Sequence, residues 1–477
     1  LNMTKPGEKL ILSYSDTNAK GEGISPAYLI GSIRSLYPKL GIEGGAGVRP
    51  HKNSINNYCY PENPEAGIDL FLEKLVQETE KEHEDILEQA DETDAMFGEL
   101  YSWYLRNPEY RSRVQKLVQS AFAGKPEDII SQSVAKALYG EVSPYSATRL
   151  ERFAACAFAH FLQYGMKLTE RVEYEFKPMD MGNVMHEALE SFAEEVRKRG
   201  MKWTELTEQE RNEIADRCLD NIVADYGNTV LKSSARNEYM IERTRRILRR
   251  TVWALQKQLE QGEFQPEGFE VTFGGGRIDR VDIMEDQNKV YVKVIDYKTG
   301  NTSFDLVYLY HGLQLQLMIY LDGALRVEQK KYPDKEIIPA GVFYYNIKDP
   351  MIQEKIDADV EAVSAGLMKE LKMNGLAQAD PELVYRMDSS LGSIPVAFNK
   401  DGSFRKNSSV ADRTQFAVLG RYVRTKIEKI RSSILEGDAE VSPYELGKKN
   451  ACTYCPYMTV CGFDRRLSGY EFRRLKN

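Results

Sequence analysis

The chain has 477 residues, 42% hydrophobic and 29% charged, a length that favours two or three domains and a balance that excludes a wholly disordered or fibrous protein. A formal net charge of −8 gives no global sign of a polyanion partner, so any nucleic-acid contact has to be local. Six cysteines are too few for a secreted disulfide framework. No apolar run is long enough to span a bilayer and LNMTKPGEKL is not a signal peptide, so the expected setting is the cytoplasm. The leading Leu1 points to a segment of a longer chain.

In chain order, residues 1–145 read as helix with irregular connections, from the spacing of apolar residues in EAGIDLFLEKLVQETEKEHEDILEQ (65–89) and MFGELYSWYLRN (96–107). No phosphate-cradling loop is present, because the Gly-Lys pairs at 124–125 and 447–448 lack the earlier spaced glycine. SPYSATRLERF (143–153) reads as a boundary, with Pro144 breaking the pattern and Ser146 able to cap the next helix. A long helical stretch then runs to about 260. After it come β-rich runs, FEVTF (269–273), RIDRVDIM (277–284), KVYVKVIDYK (289–298) and AGVFYYNI (340–347), with a helical segment from about 306 to 327 before the last. The pattern predicts an α/β fold, a mixed central sheet flanked by helices, behind a large helical N-terminal region.

The strongest chemical signal is GRIDRVDIMEDQNKVYVKVIDYKTG (276–300). Two β runs flank EDQNK, so the simplest reading is an antiparallel hairpin turning at Gln287 and Asn288. That turn sets Asp279 opposite Asp296, with Cβ atoms about 4.5–5.5 Å apart, where two unscreened carboxylates repel. A hard divalent cation, Mg²⁺ or Mn²⁺, resolves the repulsion. Strand alternation puts Lys298 on the face of Asp296 and sends Tyr297 and Asp282 to the other face.

Together these residues resemble the PD-(D/E)XK nucleases, in their RecB-like branch: GRIDRVD and VIDYKTG are similar to the paired acidic motifs, GNVMHEALESF (182–192) to the branch's Gly-x-x-x-His motif, and LQLQLMIYL (313–321) to its Gln-x-x-x-Tyr helix. SATRLERFAACAFAHFLQYGMKL (146–168) and CTYCPYMTVC narrow the resemblance to the AddB family, second subunits of AddAB helicase-nucleases, with 146–477 as the nuclease domain and 1–145 as a preceding helicase-like region without an ATPase motif. The resemblance implies that His186, Asp279, Asp296 and the Tyr297 carbonyl ligate the metal. It also implies that Lys298 orients or activates the attacking water and that Gln316 and Tyr320 position substrate or Lys298. The expected activity is a metal-dependent DNA exonuclease that trims the 5′-ended strand of a broken end for recombinational repair, beside an AddA-like helicase partner. Two departures stand out: FEVTFGGGRID is shorter than the family's usual approach to its GRID motif, and the family's Cys-Pro-Phe is here Cys156-Ala157-Phe158.

Cys452, Cys455 and Cys461 form C-x2-C-x5-C, three soft ligands wanting a fourth, and spacing alone leaves zinc and iron–sulfur both open. The resemblance implies that Cys156 is the fourth and that the group is a structural [4Fe–4S] cluster joining the chain's end to the start of the nuclease domain. Cys59 and Cys218 fit no cluster. IERTRRILRRTVWALQKQ (241–258) carries a basic stripe, with Arg243, Arg246 and Arg250 as candidate DNA contacts; a solvated face paired with nearby acids fits the same residues equally. GFDRRLSGYEFRRLKN (462–477) is a second basic segment. The competing readings are a catalytically silent, cluster-stabilised DNA-binding scaffold, and a free-standing Cas4-like nuclease, which leaves the N-terminal region unexplained.

Overall fold

The computed structural model describes residues 7, 10, 12, 14, 25–40, 63–80, 92–121, 129–140, 146–169, 178–225, 234–274, 276–352, 359–467 and 469–476. Cys59, the Gly-Lys pair at 124–125, and residues 143–145 of the expected boundary lie outside them. The chain divides into two compact units, Leu1–Phe122 and Ala123–Asn477. This division falls ahead of the expected boundary at 145. The reason is α5 (Gln132–Tyr139), which belongs with the second unit by packing: its Ala135 and Tyr139 are buried in the same core as Phe416, Val423, Ile430 and Ile434 far down the chain.

The first unit contains α1 (Tyr28–Leu36), α2 (Pro64–Glu80), α3 (Glu92–Arg106) and α4 (Pro108–Ala121). Helical spacing in α2, α3 and α4 brings Ile68, Phe71, Leu75, Phe97, Tyr104 and Val114 into one small core. Tyr104 satisfies its buried hydroxyl by donating to the Pro64 carbonyl at 2.7 Å.

The second unit begins with α5, α6 (Ala147–Ala155) and α7 (Ala157–His160), then α8 (Pro178–Lys198), α9 (Glu208–Asp225) and α10 (Ala235–Glu260). Ser146 caps α6 by accepting from the Arg149 N–H, as expected. β1 (Gln265–Phe273), β2 (Gly276–Asp286) and β3 (Lys289–Lys298) form an antiparallel meander. Gly312, in the left-handed conformation, splits the next helical segment into α11 (Leu306–His311) and α12 (Gln316–Lys331). This crossover returns the chain as β4 (Glu336–Asn346), parallel to β3. After α13 (Val360–Glu370) come β5 (Asn374–Gln378), α14 (Pro381–Met387), β6 (Val410–Ala411) and α15 (Arg413–Glu436), completing a mixed sheet ordered β1-β2-β3-β4-β5-β6. β5 and β6 escape a sequence reading because they are short and without alternation. A small second sheet holds β7 (Tyr444–Leu446), β8 (Lys449–Asn450) and β9 (Arg473–Arg474), with the short α16 (Met458–Cys461) between the last two.

Both faces of the main sheet are covered, so its central strands read as nearly continuous apolar runs. Val290, Val292, Val294, Val342 and Tyr344 face a core shared with α6, α12 and α15. Ile295, Tyr297, Phe343 and Tyr345 face the other core, built with α8, α9 and α10. α12 lies close against β1 at Gly323, where a Cβ would come within 2.6 Å of the Phe273 ring. Any larger residue there would have to displace that ring.

Candidate active site

The hairpin register runs from Asp286↔Lys289, with the turn at Gln287 and Asn288, up to Arg280↔Ile295. One further step sets Asp279 across from Asp296 at the end of the sheet. Both side chains are buried, Asp296 to 1% exposure. Asp279 Oδ2 accepts the Tyr297 N–H at 2.6 Å and lies 3.4 Å from His186 Nδ1. Burial, and after it the neighbouring Asp279 charge, push the Asp296 carboxyl up to about 7, although Lys298 and His186 pull the other way. Asp296 Oδ2 is 2.7 Å from Lys298 Nζ but has no aligned hydrogen bond.

His186 reaches this point from α8 and sets its ring edge-on to Tyr297, 6.1 Å between centroids. Burial alone would depress the imidazole; the Asp279 and Glu270 carboxylates outweigh it and push the ring up to about 10. The ligand atoms of His186, Glu270 and Asp279 all lie within 4.8 Å of one another. This trio shares His186 and Asp279 with the expected set; Asp296 lies beside Lys298, and Glu270 of β1 joins the group. Oxygen and imidazole donors with one buried carboxylate oxygen left over fit a hard divalent cation, and a buried excess of anions is costly without one.

Lys298 is held from the α12 side. Its ammonium donates to Gln316 Oε1 at 2.7 Å, and Gln316 Nε2 donates to the Tyr320 hydroxyl at 2.9 Å. The structure thus joins Gln316 and Tyr320 to the lysine, one of the two alternatives the resemblance left open. Behind them stands Glu151 of α6. Its Oε1 accepts the N–H groups of Leu315 and Gln316, at 2.7 and 3.0 Å, capping a helix whose own N-cap residue, Leu315, offers no side-chain bond. Burial pushes the Glu151 carboxyl up to about 7 against those two N–H groups and Lys298. Glu151 and Glu270 are the two residues that sequence reasoning missed. Glu151 sits between Leu150 and Phe153 on a buried helix face, an unusual place for an acid, and that is its only local signal.

The four expected cysteines gather from both ends of the unit. Cys156 closes α6 and opens α7, and burial followed by the nearness of Cys156, Cys455 and Cys461 pushes the Cys452 thiol up to about 12. Tyr457 packs with Cys156, Ala159 and Leu162 and donates to the Leu168 carbonyl at 3.1 Å. Arg473 of β9 donates to the Ala154 carbonyl. Cys218, by contrast, is buried among α8 and α9 residues.

The arginines of α10 lie beside acids from other elements. Arg246 and Arg250 both turn to Asp349, at 2.5 and 3.8 Å. Arg245 meets Asp220 at 2.7 Å, and Arg249 clasps Asp216. Of the three candidate contacts, Arg243 alone is exposed and outside these carboxylate pairs among the described residues. The acids responsible sit on α9 and beyond β4, too far along the chain for the sequence to pair them. In the tail, Arg466 and Arg474 likewise meet Asp464 and Glu445.

Comparison with known proteins agrees with this geometry. Residues 144–462 match the PD-(D/E)XK nuclease superfamily. The chain is 39% identical over its whole length to a protein of Lachnoclostridium phytofermentans named as a subunit of an ATP-dependent helicase/deoxyribonuclease, of which it covers 41%. It is 32% identical over 99% of its length to the protein of the same name from Alkaliphilus metalliredigens, covering 42%, and 30% identical to that of Thermoanaerobacter sp., again covering 42%. The chain therefore spans about two fifths of the length of these curated relatives.

Proposed function

The chain belongs to the PD-(D/E)XK nuclease superfamily, and on that premise we propose that it is the nuclease portion of an AddB-type subunit. In this reading it is a Mg²⁺- or Mn²⁺-dependent exonuclease. It trims the 5′-ended strand of a double-strand DNA end, in the cytoplasm, while an AddA-like helicase partner unwinds the duplex for recombinational repair. The first unit belongs to the helicase-like region that precedes the nuclease. Among the described residues no helix is long and apolar enough to cross a membrane.

The observation that carries the reading is the placement of Lys298, its ammonium between Asp296 Oδ2 and Gln316 Oε1, both at 2.7 Å, beside the His186–Asp279 pair. His186, Asp279, Asp296 and the Tyr297 carbonyl would hold the divalent ion, which supplies Lewis-acid polarisation of the phosphate and a lowered pKa for the attacking water. The protein's own groups do the rest. Lys298 presents a fixed positive charge where the nucleophile and the phosphoryl oxygens gather charge, and Gln316, anchored by Tyr320 and by the Glu151-capped start of α12, keeps that charge from swinging away. Burial of Asp296 strengthens each of these contacts by excluding water. Cys156, Cys452, Cys455 and Cys461 hold a [4Fe–4S] cluster in this reading, supported by thiols brought together from opposite ends of one unit.

The test is digestion of linear DNA by the protein with its partner subunit, the partner's own nuclease disabled, in Mg²⁺ and after chelation. Asp296→Ala should abolish metal-dependent cleavage and leave DNA binding largely intact. Undiminished cleavage by that variant would overturn the assignment.

A further inference from the structure

We propose that Glu270 supplies a further carboxylate ligand to the divalent-metal site, aimed there by Arg277; this rests on the nuclease reading and extends its ligand set. Phe269↔Arg280 and Val271↔Ile278 are partners in the β1–β2 ladder, so Glu270 sits between them, directly across from Asp279. Asp279 in turn faces Asp296. Three carboxylates therefore form one row across three neighbouring strands, an arrangement that like-charge repulsion opposes unless a cation shares it.

The orientation of Glu270 is specific. Its side chain is 7% exposed. Oε2 is clasped by the Arg277 guanidinium, and Oε1 faces His186 Nδ1 at 3.8 Å, inside the group whose ligand atoms all lie within 4.8 Å. A carboxylate with one oxygen tied by arginine and the other turned into a cluster of donors is arranged as an oriented metal ligand, with Arg277 in the supporting role. The backbone adds an independent sign. Glu270 has φ +50° in the middle of a strand, a conformation unfavourable for a residue with a Cβ, and such strain collects where a side chain must point somewhere in particular.

The experiment measures Mn²⁺ binding to the purified chain by calorimetry and by the Mn²⁺ paramagnetic resonance signal, without DNA. Glu270→Gln should weaken Mn²⁺ at least about ten-fold, and Arg277→Ala by less, in line with losses seen when supporting groups of metal sites are removed. Glu270→Gly should lose Mn²⁺ equally, yet melt no lower than the parent, because glycine takes the +50° φ without strain. That pairing separates a ligand from a structural residue, whose loss would lower the melting temperature instead. Asp279→Asn is the control. If it loses Mn²⁺ while Glu270→Gln and Glu270→Gly both bind within about two-fold of the parent, Glu270 is no ligand and the metal site stands without it. If Asp279→Asn also binds normally, the metal site itself falls, and Glu270's role with it. Should Glu270→Gln fail to fold, Glu270→Gly alone decides in the same terms.

Discussion

The hairpin of β2 and β3 carries two sets of buried charges, one on each face. On the side of α8, α9 and α10, Asp282 is wholly buried and meets Arg280 at 2.6 and 2.9 Å and Lys293 at 2.9 Å. Burial alone would raise its carboxyl, but the two cations outweigh it and hold the group below its ordinary range. On the side of α6 and α12, Asp279 and Asp296 meet Lys298 and, from α8, His186, and Asp296 is nonetheless pushed up to about 7. The same two strands thus hold one acid kept charged between two cations and, on the other face, a pair of acids that crowd each other. The first arrangement holds the fold together; a crowded carboxylate at a sheet's end costs stability and is kept where something has to bind.

Breaking each network should produce opposite outcomes. Asp282→Ala leaves Arg280 and Lys293 buried without their anion and should cost about 3–5 kcal/mol, read as a large fall in melting temperature. Asp296→Ala should leave the metal-free melting temperature at or above the parent value and reduce metal-dependent cleavage by about a thousand-fold or more. If Asp296→Ala instead melts like Asp282→Ala, the two networks are both structural and the contrast disappears.

A smaller effect separates the lysine from the ligands. Lys298→Ala should bind Mn²⁺ nearly as the parent does and lower kcat about a hundred-fold, whereas Gln316→Ala, which removes one of two anchors, should lower it about ten-fold with KM little changed. Loss of Mn²⁺ from Lys298→Ala as complete as from Asp279→Asn would make the lysine an organiser of the site. The cysteine site offers a comparison of its own. The purified protein should be brown, and Cys156→Ala should lose colour and iron as fully as Cys455→Ala despite their separation along the chain. A colourless protein with one zinc would refute the cluster.

The smallest expected effect is a pH slope. Glu151 holds its proton up to about 7 in the folded chain against an ordinary value of about 4.3 unfolded. The folded state therefore binds the proton more tightly. Its contribution to stability is complete below about pH 4 and fades as pH rises through about 7. Glu151→Gln, which still accepts from α12, should flatten the fall in unfolding free energy between about pH 5 and about pH 8 by an amount on the order of 1 kcal/mol. It should also keep kcat within a few-fold, while Glu151→Ala uncaps α12 and lowers it further. An unchanged slope in Glu151→Gln would show that another group titrates.

What could be read from the sequence follows from how local each feature is. The β3 boundaries, the turn at Gln287, the facing of Asp279 and Asp296 and the opposite facing of Asp282 all follow from a period of two around one turn. The four-cysteine gathering was implied only by resemblance, because Cys156 meets its partners across most of the unit. Glu151 acts on Leu315 and Gln316 through packing that no local pattern encodes. Glu270 was within reach: pairing FEVTF with GRID across the glycine-rich turn places it beside Asp279. The α10 arginines keep two readings in the sequence because the acids they meet come from other elements.

Helix α6 ends at Cys156 and carries Glu151 five residues earlier, a separation of about 7.5 Å along a rod with a rise of about 1.5 Å per residue. So short a helix hardly bends. Any displacement of the thiol end is delivered almost undiminished to the carboxylate that seats α12, and so to the alignment of Lys298, where an error of about 1 Å is enough to slow chemistry a hundred-fold. On the proposed reading, the mechanical tolerance of the reaction would be set partly at the far end of this strut, by how firmly four sulfurs are held.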